Sequence, residues 1–482
     1  MIPISKRKNK ISIKVIGGNA EHVTGSASLI TFEKRNVLFE FGMIQSGRTI
    51  YDNYRENQNL ISTVKSSSID YIFIGHCHCD HIGLIPALYG RNCSAVIIAP
   101  KGSSHILKEM WLDSAYINQR DADILTLQQG KTYFPLFTEK DVNAALDHIQ
   151  EYDFHEIIEL DENISFRFTY AGHILLSAQT ELFIKISNHI KKILFTSDLG
   201  NIMLKDSKIF VEPFEAVTSA NIVIGEATYA SPARRTKKQE LQLDLDKIHT
   251  VVQQYCVDNH NIVVIPCFAL DRLPYMLWIL YSLFSQDKSF TIPVIVDSPL
   301  GIRLLKAYKK IMNDTMLEKY NQMLSWPNIK LITEATESKA VMADGKPKVV
   351  IASAGMLTAG RSVKWVQHII PNPDDCLLFI GYAATNTLAY KIKHGKDIST
   401  ISIAGKSFKN RCQIVDLHSF SSHQQRDDLL HYYSQINCEK IYLVHSNQED
   451  KMIFKSDLEK LLTEKCKTTK VIAVNRSTII SL

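Results

Sequence analysis

The chain has 482 residues, 45% of them hydrophobic, with a formal net charge of +5 and nine cysteines. That length and apolar content allow about two or three domains with sizeable cores, and no stretch approaches the roughly 18 unbroken apolar residues of a membrane span. An odd cysteine count without regular spacing argues against a disulfide framework, and residues 1–14 lack the apolar centre of a secretory signal, so a soluble, cytoplasmic protein is expected. The weak positive charge permits a polyanionic partner without demanding one, and the basic run Lys6-Arg7-Lys8-Asn9-Lys10 reads first as a solvated arm.

In chain order, strand-like runs at 11–15, 27–32, 37–41, 70–74 and 94–99 come first. Helical segments follow at 105–116 and 138–149, the second opened by Thr138 with Asp141 three residues on, a capping pair. Strands resume at 165–170, 180–186 and 192–196. Many strands between polar turns, with few helices, predict sheet-on-sheet layers flanked by helices. Past about Lys208 the pattern changes: strands at 221–224, 261–266, 293–296, 348–352 and 376–380 alternate with helices at 237–256, 273–284 and 363–370. Such alternation predicts a parallel α/β sheet. From about Ile398 short strands return and persist to Leu482. The expected organisation is one domain, residues 1–208 and 397–482, interrupted by an inserted domain, residues 209–396.

The densest chemistry lies in His76-Cys77-His78-Cys79-Asp80-His81, directly after the apolar run Tyr71-Ile72-Phe73-Ile74-Gly75. On extended backbone the period of two would project His76, His78 and Asp80 together, with Cys77 and Cys79 behind them as packing residues and His81 approaching from the turn. Imidazole nitrogen with carboxylate oxygen suits zinc. A two-metal site needs more donors, and three later segments offer them: Ala171-Gly172-His173, Thr196-Ser197-Asp198-Leu199-Gly200, and the apolar run Ile441-Tyr442-Leu443-Val444 ending in His445. Singly, each of these reads as a structural or turn residue; the six-residue cluster does not.

With these motifs in order from Gly17 to about Asp450, the sequence resembles the β-CASP nucleases of the metallo-β-lactamase superfamily, which include ribonuclease J and the pre-mRNA 3′-end cleavage nuclease. Glu226-Ala227-Thr228-Tyr229, Pro266-Cys267-Phe268-Ala269 with Arg272, Val296-Asp297-Ser298-Pro299-Leu300, Ser353-Ala354-Gly355-Met356 with Gly360-Arg361, Phe420-Ser421-Ser422-His423 and Leu443-Val444-His445 resemble further family motifs. The resemblance implies an α/β fold: a metallo-β-lactamase αββα sandwich carrying an inserted parallel-sheet β-CASP domain. Departures from the family pattern are Glu40 in place of aspartate at the loop-orienting position, Asp271 and Ala230 in place of glycines, and Gln424-Gln425 after His423.

What the resemblance implies for chemistry is a zinc-dependent ribonuclease with two Zn2+ per chain. One ion would take His76, His78 and His173, the other Asp80, His81 and His445, with Asp198 bridging. A hydroxide shared by the two metals would hydrolyse RNA phosphodiesters to 5′-phosphate and 3′-hydroxyl ends, in exonucleolytic or endonucleolytic mode. His423 is then the candidate for protonating the leaving oxygen, with Glu226 hydrogen-bonded to it. Arg272, Ser353, Gly355 and Arg361 are the candidate substrate contacts, in a cleft between the domains. Histidine at position 445 tilts the reading toward RNA, expected single-stranded, and a homodimer or protein partner is compatible with the sequence. The competing readings are a non-catalytic RNA-processing scaffold and a hydrolase of DNA or thioesters.

Overall fold

Ile11, Ile13 and Val15 are buried while Lys14 between them is exposed, the burial pattern of a strand with one covered face. Ile164, Phe166 and Phe168 are covered in the same alternating way, and the two sets share one core with Phe39 and Phe195, whose rings stack with centroids 4.2 Å apart. In this computed structural model, which describes residues 11–45, 49–234, 240–381, 383–395, 399–476 and 478–482, that core lies between two seven-stranded sheets. The basic run 6–10, the start of the expected helix at 237 and the expected boundary at 396/397 lie outside the described residues.

The first sheet runs in the order Ile479–Ser481, Ile11–Val15, Ser28–Phe32, Arg35–Phe39, Tyr71–Phe73, Val96–Pro100, Ile149–Tyr152. The second runs Lys470–Ala473, Lys440–Val444, Ile222–Glu226, His189–Phe195, Ala178–Ile186, Ile164–Tyr170, Ile158–Glu159. Helices cover the outer faces. Trp111 of the 27-residue helix Ser103–Gln129 is fully buried and donates its indole N–H to the Ile82 carbonyl at 2.9 Å. On the second sheet, Leu429, Tyr433, Phe454, Leu458 and Leu462 pack against Val223, Leu194 and Ile441. This is the expected αββα layering.

Contacts divide the chain into two units. The first comprises Met1–Ile202, Val211–Thr236 and Ser422–Leu482, the second Met203–Phe210 and Lys237–Ser421. The second unit holds a six-stranded sheet in the order Ile329–Ile332, Val294–Asp297, Lys348–Ala352, Ile262–Pro266, Cys376–Phe379, Gln413–Asp416, parallel throughout. Its central strands are buried at every position, as strands covered on both faces must be. These units differ from the expected boundaries at both ends. Ile222–Glu226 pairs in parallel with His189–Phe195 and Lys440–Val444, so it belongs to the first unit, while Gln413–Asp416 completes the inserted sheet.

Other differences are local. Beyond 398 the chain is not strands alone: Arg426–Gln435 and Gln448–Glu464 are helices. The second is capped by Asn447, which accepts the Asp450 N–H at 2.8 Å, and it buries Phe454, Leu458 and Leu462 at four-residue spacing. Ile50–Ser62, absent from the sequence reading, is a helix opened by a Thr49–Asp52 capping box. The Thr138–Asp141 capping pair is present and starts the helix Glu139–Leu146. No helix among the described residues is long and apolar enough to cross a membrane.

Candidate metal centre

The strand Tyr71–Phe73 stops before the histidines, and Cys79–Ile82 forms a short helical turn. Asp80 therefore reaches the centre from a helical turn, not from a continued strand as the period-two reading expected, and His81 comes from the same turn. Backbone donors pin that turn: Ser26 N–H to the Asp80 carbonyl (2.7 Å), Phe41 to His81 (2.9 Å) and Met43 to Cys79 (3.0 Å). Gly42 is required there, because a Cβ at that position would run into the Asp80 carbonyl. Cys77 is buried away from the histidines and Cys79 rests 4.0 Å from the Met43 sulfur. Burial pushes both thiols up to about 12, so they are packing residues.

The remaining donors arrive from the second sheet. His173 follows Gly172, whose φ of +72° suits glycine, and its backbone N–H is held by Ser177 Oγ at 2.9 Å. Asp198 follows the strand His189–Phe195, and His445 follows Lys440–Val444 with its N–H on the Asn19 carbonyl at 2.7 Å. His76, His81, His173, Asp198 and His445 are all at most 3% exposed.

Two overlapping groups result. His76, His78, His173 and Asp198 bring their donor atoms together, with His76 Nε2 3.0 Å and His173 Nε2 3.3 Å from His78 Nδ1. Asp80, His81 and His445 form the other, with His81 Nε2 3.7 Å and His445 Nε2 3.5 Å from Asp80 Oδ2. Asp198 Oδ2 touches both sides, at 3.7 Å from His76 and His173 and 3.4 Å from His81.

The donor set fits a metal. His81 Nε2, His445 Nε2 and Asp198 Oδ1 are buried without a hydrogen-bond partner, an expensive arrangement for polar atoms unless a cation satisfies them. The outward nitrogens are engaged: His173 Nδ1 lies 3.2 Å from the Ser422 carbonyl, His445 Nδ1 2.9 Å from Thr228 Oγ1 and His81 Nδ1 2.7 Å from Glu40 Oε2. The carbonyl and the carboxylate can only accept, which fixes the tautomers of His173 and His81 with Nε2 inward, while Thr228 orients the His445 ring.

Electrostatics agree. Burial raises the Asp198 carboxyl, but His445, His81 and His423 outweigh it and hold the group well below the usual carboxylate range. Asp80 is likewise lowered, burial being outweighed by His81 and His445. Burial also lowers His81, yet Glu40, Asp198 and Asp80 carry it well above its ordinary value; His445 is raised against its burial chiefly by Asp198. His76 is pushed well below, by burial and by neighbouring His81.

Glu226 and His423 depart from the expected hydrogen bond. His423 Nδ1 stands 3.6 Å from Glu226 Oε1 and 3.8 Å from Asp198 Oδ2, ion-pair rather than hydrogen-bond spacing. The Glu226 carboxylate instead accepts the N–H groups of Leu199 (2.8 Å) and Thr228 (3.0 Å), which fixes the Asp198 loop and the residue that touches His445. Glu40, expected to orient the loop, accepts from Ser26 Oγ at 2.5 Å and lies 2.7 Å from His81 Nδ1. Sequence reasoning missed Ser26, Ser197 and Thr228 as supporting hydroxyls. Thr228 stood in the Glu-Ala-Thr-Tyr motif, but nothing marked it as a partner of His445.

The candidate substrate residues belong to the second unit. Arg272 donates to the Ile380 carbonyl at 2.8 Å, Ser353 accepts from Ser298 Oγ at 2.9 Å, and Gly355 lies against the Cys267–Phe268 backbone. Arg361 is already committed: it pairs with fully buried Asp297 at 3.1 Å and donates to the Thr333 carbonyl at 2.9 Å. These partners make it an ion pair within the second unit.

Two packed sheets with outer helices, and a buried His/Asp cluster at the strand ends, define a metallo-hydrolase of the metallo-β-lactamase type. Comparison with known proteins narrows this. Residues 275–392 match the β-CASP domain family and residues 409–469 the Zn-dependent metallo-hydrolase RNA specificity domain. Ribonuclease TTHA0252 of Thermus thermophilus is 26% identical over 90% of this chain and 92% of its own length. Transcription termination factor FttA of Methanocaldococcus jannaschii is 25% identical over 82% of this chain, which spans 61% of that protein. A crystal structure of a protein of unknown function from Enterococcus faecalis V583 shares the fold, with a TM-score of 0.52, 12% identity and coverage of 98% of this chain and 100% of that one. These matches give the chain a β-CASP domain and a metallo-hydrolase RNA specificity domain over those residues, within a metallo-β-lactamase type of fold.

Proposed function

We propose that this chain is a zinc-dependent ribonuclease holding two Zn2+, which cleaves single-stranded RNA to leave 5′-phosphate and 3′-hydroxyl ends. The observation that carries the reading is the pair of donor groups sharing Asp198, with Asp198 Oδ2 at 3.4–3.7 Å from histidines of both. His76, His78 and His173 would hold one ion and Asp80, His81 and His445 the other. Bound zinc supplies a nucleophilic water at neutral pH and neutralises charge on the phosphate oxygens. Asp198 keeps both groups in one frame, and Glu226 keeps Asp198 in place through the Leu199 N–H. His423, about a quarter exposed beside Asp198 and Glu226, is the group that can hold a proton at the open side of the centre and give it to the leaving 3′ oxygen. Arg272 with the Ser353 and Gly355 loops is the proposed contact surface for the RNA chain.

RNA is favoured as substrate by the RNA specificity domain match and by the ribonuclease name of the Thermus relative. The complete donor set argues against a scaffold that has lost catalysis. The test is cleavage of end-labelled single-stranded RNA carrying either a 5′-monophosphate or a 5′-hydroxyl, beside DNA of the same sequence and an Asp80→Ala control. RNA products that disappear in the control support the proposal, and the end dependence sorts exonuclease from endonuclease. Cleavage of DNA alone, or product formation unchanged in Asp80→Ala, would overturn it.

A further inference from the structure

Ser197 sits at φ +49°, in the left-handed region that a serine adopts at a cost and a glycine adopts freely. It occupies the residue before Asp198, where a plain turn would take glycine. Its hydroxyl lies 2.7 Å from Glu40 Oε1 and 3.0 Å from His76 Nδ1. The other Glu40 oxygen, Oε2, faces His81 Nδ1 at 2.7 Å and Ser26 Oγ at 2.5 Å. A carboxylate only accepts, so the Ser197 O–H must donate to Glu40 and its oxygen is left to accept the Nδ1–H of His76. That leaves His76 Nε2 as the bare nitrogen facing His78 and Asp198. His81 is set the same way, directly by Glu40.

We infer that Ser197 is a positioning residue: its hydroxyl extends the Glu40 carboxylate to His76, so that one buried acid orients a histidine in each half of the metal centre. The inference rests on the metallo-hydrolase reading but not on the identity of the substrate. It also accounts for two neighbours. Residue 75 must lack a side chain, because a Cβ there would overlap the Ser197 side chain and come within 2.6 Å of Glu40 Oε1. The longer stem of glutamate at position 40 ends in a carboxylate that spans Ser26 and His81 on one oxygen and Ser197 on the other, rather than displacing the loop.

Ser197→Gly separates the hydroxyl from the backbone, since glycine relaxes the positive φ while removing the bridge. Wild type, Ser197→Gly, Gly75→Ala and Glu40→Gln are titrated with zinc against a chelator, with the cobalt-substituted spectrum as a second readout and the melting temperature of the metal-free proteins as a fold control. Ser197→Gly is expected to melt no lower than wild type without metal, yet to bind one of its two ions about 10–100-fold more weakly while the other stays within about threefold. Gly75→Ala, which fills the space of the bridge and keeps the hydroxyl, weakens the same ion, and Glu40→Gln weakens both. Unchanged affinities in Ser197→Gly, an equal loss at both ions, or a metal-free Ser197→Gly that melts lower would overturn the inference. Wild-type protein that binds no zinc would overturn it together with the proposed function. Protein that binds zinc but cleaves no RNA would overturn only the substrate, and the affinities would still decide the role of Ser197.

Discussion

Asp198 and Asp297 are both buried carboxylates at the ends of strands, one in each unit, and they are solved in opposite ways. Asp297 is fully buried and receives the Ser338 hydroxyl, the Arg361 guanidinium and the Trp365 indole N–H. Each donor is fixed and the charge is matched, so the group has nothing left to bind. Asp198, 2% exposed, faces histidines 76, 81, 173, 423 and 445 at 3.3–3.8 Å, and its Oδ1 takes no hydrogen bond. A buried acid paired with fixed donors is a structural part; one ringed by imidazoles, with the Nε2 atoms of His81 and His445 left without partners, belongs to a ligand set.

Replacing the two residues should break the comparison most sharply. Asp198→Ala removes the shared donor and should abolish zinc-dependent cleavage, a loss well beyond the ~10–100-fold of an outer-partner change. Acidification comes next. The raised values of His81 and His445 mean that the metal-free centre is protonated where these histidines would ordinarily be neutral, and zinc needs their Nε2 bare. Zinc binding therefore releases protons, and affinity falls on acidification by about tenfold per pH unit for each proton displaced, which calorimetry in buffers of different ionisation enthalpy would read. Asp297→Ala should do the opposite of Asp198→Ala. It strands Arg361 and costs about 3–5 kcal/mol in denaturant unfolding with zinc content per folded chain unchanged. The smallest effect is expected from Thr228→Val, which removes the outward partner of His445 and should weaken only the ion bound with Asp80 and His81, by about tenfold in a chelator competition.

The same contrast explains what could be read from sequence. Four donors in six residues declared themselves because ligands carried by one loop must be close in sequence. His173, Asp198 and His445 were legible because each follows an apolar strand, and sheet topology brings those ends together. Alternation of buried strands with helices disclosed the inserted parallel sheet, though pairing rather than local pattern decides that Ile222–Glu226 and Gln413–Asp416 lie in different units. The helix Ile50–Ser62 was missed because it buries only Asn57, Leu60 and Ile61, leaving little apolar periodicity beyond its capping box. The supporting hydroxyls of Ser26, Ser197 and Thr228 were out of reach: a serine or threonine becomes a ligand's partner only through contacts such as Ser197 to Glu40, 157 positions away. For the same reason the ionic partner of Arg361 could not be named from sequence, since Asp297 is 64 residues distant.

The central claim is that one set of seven side chains holds two metal ions through a shared Asp198. Its most direct test is the zinc content of purified, zinc-equilibrated protein by elemental analysis, for wild type, His173→Ala, His445→Ala and Asp198→Ala. The account predicts two zinc ions per chain in wild type, one in each histidine variant and loss of both from Asp198→Ala under mild chelation. A single ion in wild type, or two ions retained by Asp198→Ala, would contradict it.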